Sequence, residues 1–573
     1  MREVFPSAKP LHKRRLTRLA PLLMMLAAAL PAAATAQPRP VAVPGGHAQL
    51  VTLFDEWRAF NHPTIANGRP DYSEAAMAAK TAALPAFRQR LAGLNQAGWS
   101  VSQRGDYRLV EAEMNGLDFF LRVLRPWARD PGFYQTVFAE MSDVPAHEGP
   151  SAEPNIDLHN FRYPLSATDD RRLTELLAAV PAMLGDAKRN LAGSDAHDLW
   201  AYGDRAFREQ AETLANLEAG KLELNDLAGK RRASLSGASP ALRAAVRNAR
   251  LATDDFARWI QAEAPRRTGP SGVGKANYDW YLKHVLLSPW TFDEQKILLQ
   301  RELERSLASL RLEEVRNRTV PAIAEKTDPA EYRRFAEART EKLYRLLVDA
   351  GFIADKAHYR AALAAQTGTY VAPADRNFFS NVTALDPLPL LSHQTHWIEL
   401  ARLRYEPHPS PIRDLPPLFN IYADRSEGFA TAMEEIVMHA GLYDDVPHGR
   451  ELVWVMLANR AARGLASLRV QANEIGLDEA GKFHAAWTPR GWSDATSRLV
   501  GFEQLLYLRQ PGYGPSYIIG KMQLDRLLAK ASHRAEVEHR PFDARATFAA
   551  ILASGIVPPA LIEEESPSAT LSR

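Results

Sequence analysis

Along most of this chain, apolar residues recur at intervals of three and four, the spacing of one face of an α-helix. Leu299, Leu303, Leu307 and Leu310 form one such stripe, with arginines and glutamates between them. Thr291-Phe292-Asp293-Glu294, just before it, has the Thr-x-x-Glu form in which two side chains cap each other's backbone amides. A second helix is predicted to open at Asp328-Pro329, with Asp328 as the cap and Pro329 where no amide donor is needed, and to stop at Gly351. Phe429, Met433, Ile436, Val437 and Ala440 give a third stripe. Leu457, Ala461, Leu465, Leu468 and Ala472 give a fourth. No convincing series of alternating strands accompanies them. The pattern predicts a mainly α protein, a large multi-helix body with few or no strands.

Three stretches interrupt the pattern. Residues 145–155 are rich in proline, glutamate and serine, 263–276 in proline and glycine, and 405–417 in proline. The middle one divides the chain into possible halves, 37–262 and 277–563, or is a long loop within one body. Residues 564–573 read as a polar, disordered tail. The N-terminus reads as a separate element. Lys13, Arg14, Arg15 and Arg18 precede an apolar run from Leu19 to Leu30, and Ala34-Thr35-Ala36 fits a small-x-small cleavage site. These are the parts of a secretory signal peptide over residues 1–36, which places the protein in the periplasm or outside the cell. A membrane anchor is the alternative, but the run is shorter than the ~20 residues needed to span a bilayer. No later segment is long enough to cross.

Composition narrows the chemistry. The 573 residues are 46% hydrophobic and 24% charged, which is ordinary for a globular protein. The chain has no cysteine, which excludes disulfides, thiolate metal sites, a cysteine nucleophile and an acylated lipoprotein cysteine. Its formal charge is +2, and residues 1–36 carry six basic residues and one acidic, so the remainder is near −3. That balance argues against a nucleic-acid partner. There is no Gly-x-Ser-x-Gly elbow and no phosphate-binding P-loop.

Three segments carry candidate chemistry. In Ser392-His393-Gln394-Thr395-His396-Trp397, the two histidines are three apart and share a helical face. Imidazoles suit zinc, although on the pair alone a hydrogen-bonded structural pair beside a buried tryptophan is the favoured reading. Glu427 opens the third stripe, and Glu434 lies seven residues on, two turns along one face. A carboxylate among apolar neighbours is costly unless paired or metal-bound, though a first-turn acid favoured by the helix dipole also fits. From Tyr507 to Lys521 the sequence suggests a rigid, aromatic loop leading into a helix. There Tyr517 could face an oxyanion and Arg509 a substrate carboxylate. His147-Glu148 looks like half a zinc motif, but Gly149-Pro150 would break its helix.

Taken in order, the histidine segment, Glu427-Gly428-Phe429-Ala430 with Glu434, Arg460-Ala461-Ala462-Arg463, and Pro511-Gly512 with Ser516-Tyr517 and Gly520 resemble the bacterial domain-of-unknown-function family 885. Phe54-Asp55-Glu56-Trp57-Arg58 and Glu113-Met114-Asn115-Gly116 extend the likeness over nearly the whole chain after residue 36. That family is largely helical and similar to zinc metallopeptidases. The resemblance implies zinc on His393, His396 and Glu427, a small peptide or amide substrate, Tyr517 at the tetrahedral intermediate, and Glu434 orienting a histidine. It also implies departures. Gln394 stands where the family's general-base glutamate would be, and glutamine cannot take a proton. Glu399, three residues beyond His396, is the substitute. Ser467 and Gln471 stand where the family has Asp and His. The expectation is an exported metal-dependent hydrolase of peptides or related amides, or a non-catalytic binding protein on the same scaffold.

Overall fold

A computed structural model describes residues 46–145 and 154–566. The expected signal peptide, His147-Glu148 and residues 567–573 of the expected tail lie outside them. Gly45–Arg573 forms one compact unit. Its described residues are mainly α-helical. Strands are confined to three two-stranded pairs, Ile65–Ala66 with Arg69–Pro70, Val137–Phe138 with Ile156–Asp157, and Glu223–Asp226 with Gly229–Arg232. No described helix is long and apolar enough to cross a membrane.

The helix starts follow the local chemistry. Thr291 and Glu294 make the reciprocal capping box of helix Phe292–Arg316. Asp328 accepts from the Glu331 amide at the start of Pro329–Asp349, and Gly351 follows that helix with φ +79°. The last helix, Pro559–Glu565, runs into the segment expected to be a disordered tail. Glu564 and Glu565 face Arg108 and Arg413 there. Between Ala264 and Gly274 the proline- and glycine-rich segment is tied down at its middle and at its end. Gly269 N donates to Asp195 O (2.7 Å) and Gly274 N to Gln471 O (2.8 Å).

Three long helices form the centre. Ala423–His439 packs along Tyr513–Val537, which also packs against His448–Gln471. Glycines set the spacing. A Cβ on Gly520 would fall 2.8 Å from Gly428 Cα and closer still to the Asp424 carbonyl oxygen, and one on Gly428 would strike the Gly520 backbone. A Cβ on Gly514 would lie 2.7 Å from the Ser467 Cβ. The main chains of Ala423–His439 and Tyr513–Val537 therefore touch, leaving no room there for intervening side chains. The expected Tyr507–Lys521 loop is mostly helix. Arg498–Arg509 ends, Gly512 adopts φ +87°, and the next helix begins at Tyr513. Pro515 is tolerated because it sits in the first turn, where amides have no partner to lose.

Candidate metal centre and its cavity

The histidine segment is two short helices, with a break where one continuous helix was expected. Leu388–His393 opens after Asp386, whose Oδ1 accepts from the Leu388 amide (2.9 Å), and it ends at Gln394. Thr395–Tyr405 follows directly. At the junction the Ser392 hydroxyl donates to Leu388 O (2.8 Å) and the Thr395 hydroxyl to Ser392 O (3.2 Å). The two imidazoles, 4.8 Å apart and nearly perpendicular, still converge.

They meet on Glu427. Its Oε2 lies 3.1 Å from His396 Nε2 and 3.3 Å from His393 Nε2, and all three residues are buried. Donors held about 2.1 Å from a tetrahedral zinc ion are separated by roughly 3.4 Å, so this spacing fits the ion. Among the described residues, these three form the single His/Asp/Glu group able to hold a metal. The surrounding contacts fit as well. Glu434 Oε1 stands 3.0 Å from His393 Nδ1, the far side of the ring, and 2.6 Å from an Arg460 nitrogen. The Tyr513 hydroxyl donates to Glu427 Oε1. A carboxylate behind a histidine and a donor behind a carboxylate are the usual supports of metal ligands.

The electrostatics follow from burial and pairing. Burial alone would raise the Glu427 carboxyl, but His396 and His393 hold it well below the usual carboxylate range. Burial would lower His396, but Glu427 raises it above an ordinary histidine. Burial and the Glu427 charge push both Tyr513 and Tyr517 well above an ordinary phenol, so both are hydroxyl donors at neutral pH.

A cavity of about 310 Å³ opens onto His393 and Glu427. Its wall includes Tyr517, whose ring stacks on His393 at 5.9 Å and 19°, and the buried Arg460 and Arg463. Arg463 sits over the Tyr517 ring, 4.2 Å from its centre, and pairs with Glu503. A polar groove of about 540 Å³ adjoins the cavity and shares Ser142, Asp143, Gln394 and Phe502 with it. A larger hollow near the C-terminal helices, about 640 Å³, is lined by Arg413, Lys530 and Arg534 among others and holds no comparable donor set.

The structure thus brings together His393, His396, Glu427, Glu434 and Tyr517. Two expected residues stand apart. Glu399 is buried between Arg425 (2.9 Å) and Arg402 (3.4 Å) and does not line the cavity. Burial would raise its carboxyl, but the two guanidinium charges hold it low, which makes it a poor proton acceptor. Arg509 is committed to the buried Asp130 (2.7 Å), away from the cavity wall. Gln471, expected near the site from the motif order, instead donates to the carbonyls of Tyr507 (2.8 Å) and Leu508 (3.0 Å) and holds the helix end. Tyr513 and Asp143 were not singled out from the sequence. The visible signal for Tyr513 was its place beside Gly512, and Asp143 had none.

No family model matches the chain, and no curated protein does. Likeness to family 885 therefore stands on motif order alone. Two solved structures resemble this one. One is described as "a putative lipoprotein of unknown function" from Shewanella oneidensis, with TM-score 0.62, 12% identity, and coverage of 90% of this chain and 98% of that one. The other is described as a "putative lipoprotein" from Colwellia psychrerythraea, with TM-score 0.63, 12% identity, and coverage of 91% and 99%. The chain shares its fold, over nearly its whole length, with these two proteins.

Proposed function

We propose that this chain is an exported, metal-dependent hydrolase of peptides or related amides, with zinc on His393, His396 and Glu427. One observation carries the reading. Three buried donors converge at metal-ligand spacing, backed by Glu434 and Tyr513, and two of them, His393 and Glu427, line a cavity. A bound zinc ion would polarise a carbonyl and acidify a water molecule. In the overall hydrolysis, the water oxygen forms the new C–O bond, the amide C–N bond breaks, and one water proton passes to the departing amine. The residues of the chain orient the partners. Glu434 stands behind the His393 ring, the Tyr513 hydroxyl donates to the Glu427 carboxylate, and the Tyr517 phenol, a donor at neutral pH, lines the cavity as the candidate partner of a developing oxyanion.

A second reading has its own support. Gln394 lines the cavity but cannot accept a proton, and Glu399 is locked between arginines. These features suit a non-catalytic binding protein on the same scaffold. Metal analysis of the purified chain beside His396→Ala tests the first reading. About one zinc per chain, lost in the variant, is expected, and a folded parent with no zinc would sink the hydrolase and leave the binding protein. Screening a peptide library with the zinc-loaded chain and Gln394→Glu separates them. Turnover in the parent supports the hydrolase. Turnover that arises only in Gln394→Glu supports the binding protein. The periplasmic or secreted location rests on the N-terminal sequence. The neighbours are described as lipoproteins, but this sequence has no cysteine to acylate.

A further inference from the structure

The cavity holds two cations that the ligand set does not use. Arg460 and Arg463 are three apart on helix His448–Gln471, so they share a face, and both line the cavity while only 1% and 2% exposed. A buried guanidinium needs acceptors for its five N–H groups. Glu434 approaches one end of Arg460, and Glu503 pairs with Nη1 of Arg463. Nε and Nη1 of Arg460 and Nε of Arg463 have no hydrogen-bond partner. Glu434 Oε1 and Oε2, beside Arg460, are likewise without a hydrogen bond, and what a ligand meets is the pair of guanidinium groups in the cavity wall. The forks are also held in place. Tyr517 lies beneath both, 4.2 Å from Arg463 and 5.8 Å from Arg460, so little side-chain freedom is lost when a ligand binds.

Access gives the ligand a direction. Ser142, Asp143, Gln394 and Phe502 line both groove and cavity, whereas Arg460 and Arg463 line the cavity alone. A chain entering from the groove passes that neck and brings its leading end to the arginines, with His393 and Glu427 on the same wall. A carboxylate offers two oxygens that can accept from both guanidinium groups. We propose that the cavity recognises a free carboxylate, and that the substrate is a peptide or N-acyl amino acid entering C-terminus first. Joined to the hydrolase reading, on which only the fate of the amide bond rests, this makes the reaction release of a C-terminal residue.

The test is calorimetric. A panel of N-acetyl dipeptides, each as free acid and as C-terminal amide, is titrated into the full chain, both zinc-loaded and chelator-stripped. At least one acid is expected to bind about tenfold or more tightly than its amide. Arg460→Lys and Arg463→Lys keep the charge but lose the fork, and each folded variant should lose most of that preference. Circular dichroism establishes which variants fold, and either one suffices. Equal binding of acids and amides across the panel, no binding of either, or an acid preference untouched in a folded variant would each overturn the proposal. An arginine-dependent preference in a chain that holds no zinc would keep this inference and remove the hydrolase reading.

Discussion

Replacing Tyr513 by phenylalanine removes one hydroxyl and keeps the ring that packs against Tyr507 and Tyr517. That hydroxyl donates to Glu427 Oε1, while Oε2 of the same carboxylate faces both imidazoles. A hydrogen bond to a charged group contributes roughly 1.5–3 kcal/mol. Loss of such an outer partner usually lowers metal affinity about 10–100-fold. At about 1.4 kcal/mol per tenfold, the two ranges coincide. The zinc Kd of Tyr513→Phe, read by competition with a chromophoric chelator at neutral pH, should therefore rise about 10–100-fold. Tyr507→Phe is the control, because its hydroxyl lines the same cavity but engages Tyr517. The metal-free protein gives a second readout. The Glu427 carboxyl is depressed in the folded state, so its contribution is present above the unfolded value and lost as pH falls through the folded one. Without the tyrosine donor the depression shrinks, and acid destabilisation should begin at a higher pH. Equal zinc affinity in Tyr513→Phe and the parent would refute the idea that this hydroxyl sets the carboxylate.

Other outcomes follow from the same geometry. Arg509→Ala leaves Asp130 buried without its cation and should cost about 3–5 kcal/mol in urea denaturation, with zinc content unchanged; loss of zinc in a folded variant would return Arg509 to the site. Gly520→Ala must push two backbones apart and should cost about 1–3 kcal/mol or more, read as a lower denaturant midpoint. Asp424 is wholly buried and its carboxyl is pushed up to about 7 by that burial, against the opposing pull of a hydrogen bond from Gln523. The folded state thus holds this proton more tightly than the unfolded chain. Stability should decline as pH rises from the unfolded value toward about 7 and then level off, and Asp424→Asn should flatten that decline in a pH series of thermal melts.

Much of the helical architecture was legible because it is locally encoded. The Thr291–Glu294 box and the Asp328-Pro329 start are chemistry between near neighbours, and both helices begin where that chemistry places them. His393, His396, Glu427 and Glu434 were also visible as polar residues in apolar surroundings. Other features depended on contacts between distant segments. Glu399 and Arg509 look like available catalytic groups in one dimension, yet their partners Arg425 and Asp130 are 26 and 379 residues away. The break at Gln394 left no mark in the spacing, which runs on unchanged through Ser392 and Thr395.

The contact between Gly428 and Gly520 has a consequence for how the site tolerates change. Glu427 rides on one of the touching helices, and Tyr513 and Tyr517 ride on the other. Where main chain meets main chain, no side-chain volume remains to be enlarged or trimmed, so the carboxylate-to-phenol spacing is insulated from repacking elsewhere. Core substitutions would then spend stability without detuning the site, and weakened variants should keep native metal affinity until they unfold.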